Sequence, residues 1–356
     1  FLMRLDQGPT TSFKDFAALM MGRLMQYFLR LEKKKIKILT ATSGDTGSAV
    51  ANAFHGLENI RVIILFPSGE VTEMQRKQMT TLHDNIQVIE IDGKFDDCQR
   101  LVKTAFMDPL LSGINLSSAN SINIGRLLPQ SVYYFWAWAQ LSGNMEDEFI
   151  FSVPCGNFGN LAGGLLARNM GLPVDRFVIS TNENDEVPLF LKTEEYTPVS
   201  PSRNCISSAM NVGHPSNLPR IISMYNGRMD EEGTILQLPD MARMKKDLFA
   251  SSISDSLTRE TIRSFYNQYG KLIEPHGAVA WAGLKEYTES RKAHDEAYCV
   301  CLETAHPAKF RDEIKGILNI EPTLPDSLSN IESRTEEYIS LENNYDLLKK
   351  FIIQSY

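Results

Sequence analysis

At 356 residues, 43% of them hydrophobic, the chain exceeds the ~250–300 residues at which a single core stops growing, so two domains are expected. Its net charge of −8 speaks against nucleic acid or an anionic membrane as the main partner, since both would repel it. No apolar run reaches the ~18–20 residues that span a bilayer.

The chain opens on QGPTTSFKDF, Gln7 to Phe16. Gly8-Pro9 and two threonines are turn chemistry, and Phe16 to Leu31 is apolar at helical spacing. Lys14 therefore stands at a loop-to-helix junction, between Phe13 and Phe16. Desolvation and a helix N-terminus both disfavour an ammonium there. A lysine so placed is a nucleophile for carbonyls, usually as a Schiff base. From this motif alone, an ordinary lysine beside a helix cap competes on even terms.

Strand-like runs then alternate with helical patterns. Strands are expected at Ile36 to Ala41, Ile60 to Phe66 and Ile86 to Ile91, with helices at Ser48 to His55, Thr72 to Leu82 and Phe95 to Phe106. This rhythm implies a parallel sheet with helices on both faces. The aromatic run Val132 to Leu141 reads as a buried helix. A second series comes next: strand Phe149 to Val153, helix Leu161 to Met170 and strand Arg176 to Thr181. Later come helices Asp255 to Gly270 and Ala278 to Tyr287 and strand Tyr298 to Leu302. Thr193 to Arg220, rich in Pro, Ser and Asn, is a long irregular stretch that lines a site or crosses between domains. Glu332 to Gln354 reads as a polar surface helix. The five cysteines show no CxxC spacing and the histidines no HxxxH pair. Reduced thiols of a cytoplasmic protein are therefore expected, and no metal site.

Four loops carry chemistry. Ser43-Gly44-Asp45-Thr46-Gly47 follows a strand and opens a helix, at the carboxyl edge where open parallel sheets bind ligands. Its hydroxyls, amides and helix dipole suit a substrate carboxylate; a tight turn needing glycines is the competing reading. Pro154-Cys155-Gly156-Asn157-Phe158-Gly159-Asn160 has the same setting, and its two glycines let successive N–H groups converge on one phosphate. Asn120-Ser121-Ile122-Asn123-Ile124-Gly125-Arg126 offers amides, a hydroxyl and a guanidinium able to grip an anion, or else an N-capped helix with one exposed arginine. Thr304 follows the strand ending at Leu302, and its hydroxyl can donate to or accept from a ring nitrogen. A dinucleotide-binding dehydrogenase is disfavoured, because no complete GxGxxG with its later acidic residue is present.

Together these motifs resemble the fold-type II pyridoxal-phosphate enzymes, tryptophan synthase β-like in fold, and more closely the threonine synthases of the bacterial and fungal type. The resemblance runs through GPTTSFKDF (Gly8 to Phe16), SGDTGSA (Ser43 to Ala49), NSINIGRLLPQ (Asn120 to Gln130), VPCGNFGN (Val153 to Asn160) and NDEVP (Asn184 to Pro188). It continues in SAMNVGHPSNLPR (Ser208 to Arg220), EPHGAVA (Glu274 to Ala280) and ETAHPAKF (Glu303 to Phe310). It implies an α/β fold of two open parallel-sheet domains. The large one would comprise residues 1–35 with 119–356 and the small one 36–118, with the family's N-terminal domain absent from this chain. It implies pyridoxal 5′-phosphate, held by Lys14 as a Schiff base, with its phosphate on the amides of Gly156, Asn157, Phe158, Gly159 and Asn160 and its ring nitrogen facing Thr304. A hydroxyl does not keep that nitrogen protonated as a carboxylate would, so the ring would be a weaker electron sink.

Asp45 and Thr46 lie where related enzymes contact the cofactor's 3′ oxygen or the substrate carboxylate. Ser43 would join Thr46 at the substrate, and Asn120, Ser121 and Arg126 would bind the substrate phosphate. The implied reaction turns O-phospho-L-homoserine and water into L-threonine and phosphate, in a cytoplasmic monomer or homodimer with no nucleic-acid or membrane partner. A serine or threonine dehydratase-type lyase and a non-catalytic phosphate-binding relative are the competing functions.

Overall fold

The computed structural model describes residues 1–142, 144–290 and 297–355. They form two compact units, residues 1–7 with 127–323 and residues 8–126 with 324–356. Each is built on a five-stranded sheet whose pairings are all parallel.

In the unit of residues 8–126 and 324–356, the strands run in the order Ile339–Glu342, Ile86–Asp92, Ile60–Pro67, Ile36–Ala41, Leu116–Ser117. Near-continuous apolar runs such as IRVIILF suit a parallel sheet, whose two faces are both covered. Ile38, Val62, Ile64 and Val88 pack with Ala18 and Met21 of helix Lys14–Glu32 and with Val50 and Phe54 of helix Asp45–Phe54. Leu39, Ile63, Leu65 and Ile89 cluster instead with Leu101 of helix Phe95–Met107 and with Leu348 and Ile352 of helix Tyr345–Gln354. Fully burying each such side chain contributes about 1.5–3 kcal/mol. Strand order reverses at Ile36–Ala41, which has Ile60–Pro67 on one side and the later strand Leu116–Ser117 on the other. Such a reversal leaves a crevice at the carboxyl ends of the two strands.

The unit of residues 1–7 and 127–323 repeats the plan, in the order Leu2–Arg4, Tyr298–Glu303, Phe149–Pro154, Arg176–Thr181, Leu248–Ser252. Ile150, Val178 and Cys301 cluster with Ala280 and Leu284 of helix Pro275–Ser290. An aromatic group including Tyr134 and Phe151, 4.9 Å apart between centroids, also lies in this unit. Here the reversal falls between Phe149–Pro154 and Tyr298–Glu303.

Three expectations need revision. The unit boundaries differ from 1–35 with 119–356 and 36–118: helix Lys14–Glu32 and residues 324–356 belong with the sheet of residues 36–118. The reason is packing, since Ala18 and Met21 share its core and Ile339–Glu342 extends its edge beside Ile86–Asp92. Glu332 to Gln354 is not one helix but that strand followed by helix Tyr345–Gln354, whose Leu348 and Ile352 are buried. The aromatic helix Ser131–Leu141 is buried on one side only, through Tyr133, Tyr134 and Ala137, while Val132 and Trp136 are 63% and 58% exposed. Among the described residues, no helix is long and apolar enough to cross a membrane, and no group of three or more His, Cys, Asp or Glu is placed to hold a metal.

Candidate active site

In the unit of residues 8–126 and 324–356, Thr42 turns the chain as it leaves its strand. Its Oγ1 accepts from the N–H groups of Gly44 and Gly47 at 2.9 and 2.8 Å. Gly44 sits at φ 127°, and a Cβ there would run into the Gln75 side chain. Only glycine suits that combination. The turn delivers Asp45 to the start of helix Asp45–Phe54, where Gln75 Nε2 donates to its Oδ1 at 3.0 Å. Gln75 is itself fixed by a capping box with Thr72, a reciprocal pair of side-chain to backbone bonds. The other Asp45 oxygen, Oδ2, lies 3.6 Å from Lys14 Nζ. Ser43 and Thr46 are half-buried beside it.

Lys14 is the first residue of helix Lys14–Glu32. Its Nζ lies 4.7 Å from the Phe13 ring centroid, and 16% of its side chain stays exposed, so the amine is reachable. The preceding loop is tied down by buried Asp15, which accepts from the Thr10 N–H at 2.9 Å and from the Thr10 hydroxyl.

Asn120, Ser121 and Arg126 follow Leu116–Ser117, the strand across the reversal. Asn120 Nδ2 donates to the Ala41 carbonyl at 2.7 Å, and Asn120 Oδ1 accepts from Ser118 Oγ at 3.2 Å. The amide thus clamps the two strand ends together. Ser121 is half-buried next to it. Arg126 is buried, and its Nη1 donates to the Ala119 carbonyl. Burial lowers its guanidinium to about 10 against the opposing pull of Asp15, which leaves it charged at neutral pH. Part of its fork is therefore committed to the backbone, unlike the exposed fork that a bidentate phosphate contact uses.

In the other unit, strand Phe149–Pro154 leads through Cys155 to Phe158 into helix Gly159–Asn169. A Cβ on Gly156 would meet the Met210 Cα at 2.8 Å and the Ala209 carbonyl at 2.9 Å, so this close approach of two backbones requires glycine. Phe158 takes the left-handed conformation, φ 60°, and reverses the chain into the helix. Asn157 Oδ1 accepts from the Ser216 N–H and hydroxyl at 3.3 and 3.2 Å, and Asn217 Nδ2 donates to the Asn157 carbonyl at 2.9 Å. Asn160 Oδ1 accepts from the Tyr133 and Tyr134 hydroxyls.

Several donors of this loop are left over. Among the described residues, nothing accepts from the N–H groups of Gly156, Asn157 and Phe158, and the buried Asn160 Nδ2 has no partner. The first N–H groups of the helix have no acceptor within it either. A concave run of N–H donors at a helix start is an anion cradle.

Thr304 lies across the strand reversal from this loop and is buried. Its Oγ1 donates to Glu274 Oε1 at 3.4 Å. Glu274 also accepts from the Gly277 N–H at 2.9 Å, from the His276 N–H at 2.6 Å and from His276 Nδ1. The other nitrogen of that ring, Nε2, accepts from the Ala209 N–H at 3.1 Å, which assigns the proton to Nδ1. Glu303 Oε1 accepts from the Glu274 N–H at 3.0 Å. Burial, and then the charge of Glu274, push the Glu303 carboxyl well above its ordinary value.

Sequence reading gave Glu274, His276 and Glu303 no role. Glu274 and Glu303 stand 29 positions apart and meet only because helix Pro275–Ser290 packs against strand Tyr298–Glu303. Their one local signal was a lone glutamate opening each of two motifs, EPHGAVA and ETAHPAKF.

The pyridoxal-phosphate dependent enzyme family matches residues 1–304, and the C-terminal family of threonine synthase matches residues 277–352. The threonine synthase of Haemophilus influenzae is 42% identical over 358 residues, covering 100% of this chain and 79% of its own. That of Escherichia coli K12 is 42% identical over 328 residues, covering 92% and 72%. Among solved structures, the PLP-bound threonine synthase from Brucella melitensis matches with a TM-score of 0.90 at 34% identity, covering all of this chain and 78% of that one. The Escherichia coli threonine synthase structure matches with a TM-score of 0.87 at 39% identity, covering 100% and 78%. The residues here fit that cofactor: Lys14 offers a reachable amine for an aldehyde, and the loop after Pro154 offers unused N–H donors and a buried amide nitrogen to a phosphate. The chain belongs to the threonine synthase family of pyridoxal-phosphate dependent enzymes.

Proposed function

We propose that this chain converts O-phospho-L-homoserine and water into L-threonine and phosphate, in the cytoplasm, where its five cysteines stay reduced. One observation carries the reading within the molecule. Lys14 presents a reachable amine against Asp45 at a helix start, in a chain whose relatives over 92–100% of its length are threonine synthases.

Bound pyridoxal phosphate supplies carbanion stabilisation next to the substrate's amino group. The chain's own residues select the reaction. Lys14 would hold the cofactor's aldehyde carbon through Nζ, and its free amine would take protons from Cα and Cβ of the substrate and return protons at Cγ and Cα. Phosphate leaves Cγ and water adds at Cβ. Proton transfers of this kind are worth about 10²–10⁴-fold each. The N–H groups of Gly156 to Asn160 would hold the cofactor phosphate, and Thr304 would meet the ring nitrogen.

Ser43 and Thr46 take the substrate carboxylate, and Asp45 steadies the Lys14 side chain. Asn120 and Ser121 receive the substrate phosphate, with the charge of Arg126 behind them. Inorganic phosphate release from O-phosphohomoserine, set beside homoserine and serine, tests the proposal. Turnover of the phosphorylated substrate with threonine as product is expected; ammonia release from serine at a higher rate would replace it with a dehydratase.

A further inference from the structure

We infer that Glu274 is a positioning residue that directs the Thr304 hydroxyl and so makes Thr304 an acceptor for a protonated ring nitrogen of the cofactor. The inference rests on the proposed placement of that nitrogen at Thr304.

A threonine hydroxyl has one proton to donate. An ionised carboxylate only accepts, so wherever the Thr304 hydroxyl meets charged Glu274, its proton points at Glu274 and its lone pairs point elsewhere. Both oxygens of Glu274 already accept, Oε1 from the Gly277 N–H and Oε2 from the His276 N–H and ring. With both oxygens so occupied, Glu274 offers the Thr304 hydroxyl only acceptance. Glu303 accepts from one N–H, that of Glu274. Burial and the neighbouring Glu274 push the Glu303 carboxyl well above its ordinary value, so of the two it is Glu274, on the side of Thr304, that is built as the acceptor.

Glu274 is also held in place. His276 spans from Glu274 to the Ala209 N–H, and Ala209 and Met210 form the wall against which Gly156 packs. One network therefore sets both the direction of the Thr304 hydroxyl and the wall of the phosphate loop. A hydroxyl aimed at Glu274 cannot donate to an unprotonated nitrogen, but it can accept from a protonated one, and a carboxylate one hydroxyl away favours the proton there. This reverses the weaker electron sink expected from a threonine alone.

The test is the nitrogen-15 NMR shift of ring-labelled pyridoxal phosphate in the holoenzyme, with the absorbance band of the lysine-bound cofactor as control. The wild-type protein is expected at the protonated, pyridinium position. Glu274→Gln and Thr304→Val are each expected to keep the absorbance band and move the resonance to the unprotonated position, and Thr304→Ser to restore it. A wild-type resonance at the unprotonated position overturns the inference without recourse to any variant. So does a Glu274→Gln holoenzyme that retains the pyridinium shift. Absence of the absorbance band in wild-type protein, or its survival under borohydride, overturns the placement of the cofactor itself. Activity alone does not enter the decision.

Discussion

Lys14 combines a position at the first turn of a helix with an acidic partner at 3.6 Å. The partner keeps the resting side chain in one place, and the partial exposure leaves the amine accessible to a carbonyl. Lys14→Ala is expected to lower threonine formation by about 10³-fold or more, the sum of a lost covalent anchor and lost proton transfer. Far-ultraviolet circular dichroism should not change, since one first-turn side chain carries little packing. Full activity in the purified variant would remove Lys14 from the mechanism.

Glu186 is a second residue whose environment is unusual. It is buried, its Oε2 has no partner among the described residues, and burial raises its carboxyl from 4.5 to about 7. The folded chain holds this proton where the unfolded chain has released it. Its contribution is therefore intact below about 4.5 and is lost as pH rises toward about 7. The loss amounts to roughly 3 kcal/mol. Glu186→Gln, which cannot ionise, should flatten the pH dependence of the urea midpoint across that window. An unaltered slope would show that Glu186 is ionised in the fold.

At the scale of elements, the strand-to-helix loops do the positioning. The loop after Pro154 works because two backbones touch at Gly156 and because Phe158 accepts a left-handed turn. Gly156→Ala should force Met210 and Ala209 back by the overpacking cost of about 1–3 kcal/mol. If the loop yields, cofactor affinity falls about 10–100-fold, read by titration of the cofactor absorbance. Unchanged affinity would mean that the loop's path does not matter to the phosphate. Most elements of this kind were legible, because strand Ile36–Ala41 and its neighbours are apolar runs bounded by turn residues. Leu2–Arg4 and Leu248–Ser252 were not, being too short, or too mixed in character, for any period to register. The site was legible as a set of loops rather than as a set of contacts. Nothing local to Asn120 to Arg126 indicates that the guanidinium turns inward to the Ala119 carbonyl, because that depends on a loop closing on itself.

At the scale of the molecule, the C-terminal residues complete a sheet begun some 250 positions earlier. Ile339–Glu342 pairs with Ile86–Asp92, Lys37 Nζ donates to the Ile352 carbonyl, and Leu348 and Ile352 fill the core beneath. Removal of residues 324–356 should expose the edge of Ile86–Asp92 and two large cavities. The expected result is a loss of several kcal/mol together with concentration-dependent aggregation, measured by thermal unfolding and light scattering. A truncated chain that melts at the same temperature would show that the segment is peripheral.

Taken by itself, the amino-acid sequence determined the alternation of strands and helices, the carboxyl-edge position of the loops, and the kinds of group they carry. These come from periodicity and turn chemistry, which act over a few residues. Only the tertiary structure decided which helices cover which sheet, that Arg126 is buried, and that Glu274, Glu303 and Thr304 meet. Those outcomes depend on parallel strands choosing neighbours across long stretches of chain, where the free energy comes from burying both faces at once and leaves no mark on any one segment.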